Sequence, residues 1–138
     1  MVLVDTSIWI EASRREGDPA CKLGIEGLLE EYMVGICGPV RLEFLGGARK
    51  EERKWLKEKL TCLPEIPVET QHWDSACRNA WMLRDAGESI PWNDVLIATV
   101  ALDQDFRVYA WDRHFEIMSE RIGLRLYKPG YCGRYATD

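Results

Sequence analysis

The stretch VLVDTSIWI, residues 2–10, decides the fold. Three β-formers in a row, Val2, Leu3 and Val4, read as a short strand, and a strand apolar at every position is one buried on both faces. The run stops at Asp5, Thr6 and Ser7, and a new apolar pattern begins at Ile8 and Trp9. A carboxylate at the end of a buried strand is either a helix cap or part of a site. The stretch alone leaves both open.

Downstream the chain alternates short apolar runs with helical stretches. Asp18-Pro19 starts a helix, with Asp as cap and Pro in the first turn; Ala20, Leu23, Leu28 and Tyr32 keep roughly to one face of it. Residues 34–37 read as a second strand, closed by Gly38-Pro39, and Pro39 opens a helix through Glu43 that Gly46-Gly47 breaks. Residues 48–60 read as a charged helix with Trp55, Leu56 and Leu60 facing in. Residues 65–68 look like an edge strand, because Pro64 and Pro67 flank or interrupt it. A helical pattern then runs from Trp73 to Gly87. Asn93 is expected to cap a helix apolar all round, and such a helix is buried. Residues 107–110 form the next strand and residues 124–127 the last. This alternation indicates an α/β protein, a three-layer sandwich whose mainly parallel sheet of four or five strands is flanked by helices. Ligands of such sheets sit outside the carboxyl ends of the strands.

Bulk properties narrow the class. At 138 residues, 46% hydrophobic and 30% charged, the chain fits a single domain over residues 1–138. No apolar run is long enough to span a membrane, and the N-terminal apolar stretch lacks the basic region of a signal peptide. The five cysteines are odd in number, scattered and free of C-x-x-C pairs, which argues against a disulfide framework or structural zinc. They read as reduced thiols in a cytoplasmic protein, with Cys37 and Cys77 in the core. The net charge of −5 is the wrong sign for simple electrostatic binding of nucleic acid. Any such surface must be a local patch or be completed by a partner.

Four acids fall where the strand-end rule points. Asp5 ends the first strand, Glu43 lies in the helix after the second, Asp94 is in the first turn of the buried helix, and Asp112 follows the strand ending at Ala110. Each has an ordinary reading: a cap for Asp5, an exposed helix position for Glu43, a complement to a helix N-terminus for Asp94, a turn for Asp112. Their coincidence on one face favours a site. Carboxylates gathered in one cleft need a counter-charge or take up protons. A hard divalent cation supplies one, and can activate water and offset charge on a phosphodiester. Asp103 and Asp105 sit at the other end of the buried helix and are left out.

With these segments in hand, VDTSIWI, VRLEFL, NDVLIATVAL and AWDRHF, in this order and spacing, the chain resembles the PIN-domain ribonucleases and, among them, the VapC-type toxins of toxin–antitoxin pairs. The resemblance covers nearly the whole chain. It implies a PIN-like parallel sheet flanked by helices and Mg²⁺- or Mn²⁺-dependent endonucleolytic cleavage of RNA. Asp5, Asp94 and Asp112 would ligate metal, Glu43 would complete the site, and Thr6 and Ser7 would support it. It also implies a cognate antitoxin, which would place a basic side chain in the cleft, and a homodimer. One position departs: the family often has Thr or Ser two residues before its last aspartate, where this chain has Ala110, leaving Asp112 without that hydrogen bond.

Other groups are weighed beside these. The six tryptophans read mainly as core, although Trp92 and Trp111 adjoin Asp94 and Asp112 and offer faces for base stacking. Arg113 is placed to reach a phosphate. His114 reads as structural or surface, since one histidine without a nucleophile makes no hydrolase triad. The charged run from Arg49 to Lys59 reads first as a solvated helix. An aspartyl phosphotransferase would need an acid where Ser7 stands, a receiver domain would need adjacent acids near the first strand, and no G-x-x-x-x-G-K-[ST] loop is present. The remaining alternative is a non-catalytic PIN-like module that binds RNA or protein.

Overall fold

Side chains of the first strand alternate between two cores. In the computed structural model, which describes residues 1–137, β1 (Val2–Val4) sends Val2 and Val4 to one face of a sheet and Leu3 to the other. The chain continues through α1 (Thr6–Ser13), α2 (Pro19–Glu30), β2 (Val34–Cys37), α3 (Gly38–Gly46), α4 (Arg53–Thr61), β3 (Glu65–Ile66), α5 (Thr70–Asp85), α6 (Trp92–Asp103), β4 (Arg107–Tyr109) and α7 (Arg113–Ile122). The four strands run parallel in the order β3-β2-β1-β4. On one face, Ile8 of α1 and Cys21, Ile25 and Leu28 of α2 pack on Val2, Val4, Val34 and Tyr109. On the other, Val40, Leu60, Leu83, Ile97 and Phe115 pack with Leu3, Ile36 and Val108. The three-layer α/β sandwich is therefore present.

Topology positions the site. From β1 the chain crosses to β2 on one side, while β4 returns to the other. The order reverses at the carboxyl ends of β1 and β4, and that crevice is where doubly wound sheets bind ligands. Asp5 and Asp112 both follow those two ends. The Asp5 amide donates to the Tyr109 carbonyl at 2.9 Å, which holds the two strand ends together.

Several elements differ from expectation, each for a local reason. The edge strand is only Glu65–Ile66, because Pro67 cannot donate to the ladder. Residues 124–127 make a single parallel bridge, Val108 to Leu126, in place of a fifth strand. α4 begins at Arg53, after an irregular stretch that ends in a turn over residues 50–52. α6 is capped at Pro91 and includes Asn93. The buried face of α2 is Cys21, Gly24, Ile25 and Leu28, with Leu23 half exposed, and Tyr32 lies past the helix at positive φ. Cys37 is in the core, but Cys77 is exposed on α5.

The C-terminal residues fold back against α2. Gly133, at φ +74°, lies so close to Leu23 that a β-carbon would stand 2.5 Å from its carbonyl carbon, so both conformation and space require glycine. Buried Arg107 anchors this segment by donating to Tyr135 Oη (3.1 Å) and to the Ala136 carbonyl (2.8 Å). No described helix is long and apolar enough to cross a membrane.

Candidate active site

Three of the expected acids stand at helix N-termini that converge on the crevice. Asp5 is the N-cap of α1, Asp112 is the N-cap of α7, and Asp94 lies in the first turn of α6. Helix N-termini carry partial positive charge, which makes a cluster of carboxylates tolerable. The question of cap or site therefore has a double answer. Asp5 Oδ2 accepts from the Ser7 amide (3.0 Å) and the Ser7 hydroxyl (2.6 Å), and Asp112 Oδ1 accepts from the His114 amide (3.0 Å). Each cap engages one carboxylate oxygen, so capping does not preclude ligation.

The cluster is electrostatically crowded. Burial, first, and the charges of Asp5 and Asp112 push the Asp94 carboxyl up to about 6, against hydrogen bonding from His114. Burial likewise raises Asp5, with Asp112 adding to the effect. Acids held this way favour either protons or a cation. Ligand atoms of Asp94, Asp112 and His114 all lie within 4.8 Å of one another. A donor set dominated by hard carboxylate oxygens fits Mg²⁺ or Mn²⁺, and the imidazole is the one softer donor.

His114 is the functional candidate that sequence reasoning missed. Its Nδ1 lies 2.9 Å from Asp94 Oδ2 and 3.1 Å from Asp112 Oδ1. The signal was its spacing: two residues past an N-cap aspartate, at the start of a helix, its ring can reach back over the cleft.

Glu43 stands at the margin. Its Oε2 accepts from the Thr6 hydroxyl at 3.2 Å, which ties α3 to the residue after Asp5. The gap left by Ala110 is bridged from elsewhere. The Ser7 hydroxyl accepts the Trp111 amide at 2.9 Å while donating to Asp5, and Asp112 is oriented by capping α7. Asp103 pairs with His72 and Asp105 with Arg125, both away from the cleft. Of the six tryptophans only Trp9 packs against the core; Trp55, Trp73, Trp81, Trp92 and Trp111 are each more than half exposed. Arg113 is exposed at the start of α7.

A parallel sheet with acids converging at its switch point is the arrangement of a PIN domain. The PIN domain family matches residues 2–120, and this chain belongs to it. Ribonuclease VapC11 of Mycobacterium tuberculosis is 30% identical over 130 residues, spanning 91% of this chain and 96% of that protein. Among solved structures, VapBC2 from Rickettsia felis, bound to a DNA fragment from its promoter, superposes with a TM-score of 0.74 at 21% identity, covering 92% of this chain and 98% of the other. A toxin–antitoxin complex from Klebsiella pneumoniae superposes with a TM-score of 0.65 at 16% identity, covering 82% and 88%. At these identities the structural matches speak for the fold.

Proposed function

We propose that this protein is a metal-dependent endoribonuclease, the toxin of a toxin–antitoxin pair, hydrolysing RNA phosphodiester bonds in the crevice beyond β1 and β4. The observation that carries this reading is the convergence of Asp5, Asp94 and Asp112 at three helix N-termini in a PIN-family chain. Asp94, Asp112 and Asp5 would hold Mg²⁺ or Mn²⁺, with His114 as a nitrogen donor and Glu43 completing the margin through Thr6. A divalent cation there would polarise water and offset charge gathering on the scissile phosphate. The residues' own part is to fix that geometry: Ser7 holds Asp5 and the Trp111 loop together, and α7 fixes Asp112.

Two surfaces suit the proposed protein partners. Between α1, α3 and the start of α4, a cavity of about 860 Å³ is lined by Ile10, Phe44 and Trp55, with Arg14 and Arg49 at its edge and Glu43 in its wall. An amphipathic antitoxin segment seated there would run toward the acidic cleft and could place a basic side chain in it. The exposed apolar groove of Trp73, Trp81, Trp92 and Leu96 suits the second copy of a homodimer. A toxin that acts on cellular RNA would work in the cytoplasm.

The test is cleavage of total RNA by purified protein with Mn²⁺ or Mg²⁺ against EDTA, beside a folded Asp94→Asn variant. Metal-dependent cutting that is lost in the variant supports the assignment. Cutting that survives the mutation overturns the site. Absence of both cutting and metal binding leaves a non-catalytic binding module.

A further inference from the structure

We propose that the cavity between the Trp111 loop and the C-terminal segment is the subsite for one unstacked base of the RNA, with the Trp111 indole as its stacking face. The proposal rests on the nuclease reading and identifies where that site grips its substrate. The cavity measures about 370 Å³ and shares Asp112 with the acidic cluster, so an occupant lies beside the reacting centre. One wall is Trp111 and Asp112; the other is the segment from Lys128 to Gly133. That second wall lies beyond residue 120, where the family match ends.

The two tryptophans next to site acids are not equivalent. Trp92 lines hollows formed with α5, beside Arg84 and Trp81, and neither hollow contains an acid of the cluster. Trp111 opens onto the cavity that does. Trp111 is 55% exposed, and its amide is held by Ser7. A large aromatic face on a fixed backbone is a preorganised platform, since little freedom remains to be lost when a base lies on it. The rest of the chemistry suits a heterocycle. The lining is mainly apolar and includes Lys128 and Glu116, whose charged groups are of the kind that pairs with base acceptors and amines.

Charge supplies an independent argument. A chain of net charge −5 has no general electrostatic hold on RNA, so its grip must be local. Base–aromatic stacking adds affinity that does not depend on net charge and tolerates any base. The strand would therefore be gripped by one base on Trp111 while its neighbouring phosphate meets the acids.

The experiment measures binding apart from cleavage. Single-stranded RNA 10-mers of random sequence, each with a 2-aminopurine, are titrated in EDTA against Asp94→Asn protein and against the same protein carrying Trp111→Ala, Trp111→Phe or Lys128→Ala. The expected result is quenching of 2-aminopurine that disappears with Trp111→Ala, with affinity about tenfold weaker. Trp111→Phe should retain most of the binding, and Lys128→Ala should lose a smaller, salt-sensitive part. Active protein carrying Trp111→Ala should show a raised KM on RNAs of every sequence, with little change in kcat. Unchanged quenching and affinity in Trp111→Ala, with circular dichroism showing the fold intact, overturns the subsite. Quenching that depends on Trp111 in a protein that cuts no RNA with any metal keeps the subsite and removes the nuclease reading.

Discussion

The Ser7 hydroxyl lies 2.9 Å from the Trp111 amide, across 104 residues of sequence, and 2.6 Å from Asp5 Oδ2. One oxygen thus joins the loop after β4 to the acid after β1. It does so where Ala110 withholds the hydroxyl that the family often provides. Ser7→Ala should keep the fold, since the Asp5 cap retains the Ser7 amide, but loosen the relation between Asp5 and the Asp112 loop. Residues that orient metal ligands typically cost 10–100-fold in affinity or activity when removed, and a loss of about that size is expected here. Mn²⁺ calorimetry beside the cleavage rate checks it. Ser7→Ala with wild-type Mn²⁺ affinity would show that the bridge is only structural.

Asp94 separates stability from function. Its folded pKa of about 6 lies above the ordinary carboxylate value of 3.8, chiefly because burial penalises the charged form. A carboxyl raised on folding contributes its full stabilisation below the unfolded value and loses it as pH rises through the folded value. At pH 7.5 the metal-free fold therefore carries an unfavourable charge. Asp94→Asn should abolish cleavage while leaving the metal-free Tm equal to or above that of the wild type. A clear drop in Tm would mean that ionised Asp94 supports the fold and that its burial has been misread.

The same sign governs metal binding. Ligand carboxylates must shed protons to bind a cation, so affinity should fall as pH drops below about 6, by about tenfold per pH unit for each proton displaced. Metal that binds only the folded state raises its stability by about 2.7 kcal/mol at a concentration of 100 Kd. Thermal melts with and without Mn²⁺ should therefore show a larger upward shift at pH 7.5 than at pH 5, and almost none in Asp94→Asn. Equal shifts at both pH values would place the ion elsewhere.

How much of this was legible in the sequence depends on what fixes each feature. β1 and β2 carry no polar side chain and stop at Asp5 and at Gly38-Pro39, so the layer order followed from Val2–Val4 and its echo at Val34–Cys37. The positions of Asp5, Asp94 and Asp112 followed from the strand-end rule. The tryptophans were misjudged because helical spacing says which residues share a face, not whether that face is covered. Trp73 and Trp81 share one that no described element covers. His114 was missed because its partners, Asp94 and Asp112, meet only when α6 and α7 bring their N-termini to one crevice. The Ser7 bridge was invisible for the same reason: 104 residues separate its ends.

His72 holds the far end of the molecule and provides a control for the site. It is fully buried. Its Nδ1 accepts the Glu69 amide at 2.8 Å, which leaves Nε2 to donate to Asp103 Oδ2 at 2.9 Å. The ring thereby caps α5 and fastens it to the end of α6 opposite Asp94. His72→Ala removes both bonds and leaves a void, a cost of about 2–4 kcal/mol. Asp103→Asn should be milder, because an amide oxygen can still accept from Nε2. Hydrogen bonding from His72 holds the Asp103 carboxyl below its ordinary range. Its contribution is therefore present above the unfolded pKa and lost as pH falls through the folded one. Chemical denaturation at pH 7 should show the large loss for His72→Ala and the small one for Asp103→Asn, with Mn²⁺ affinity of the folded variants unchanged. A change in Mn²⁺ affinity in either variant would mean that α6 transmits strain from its C-terminus to Asp94, so that the two ends of the helix are not independent.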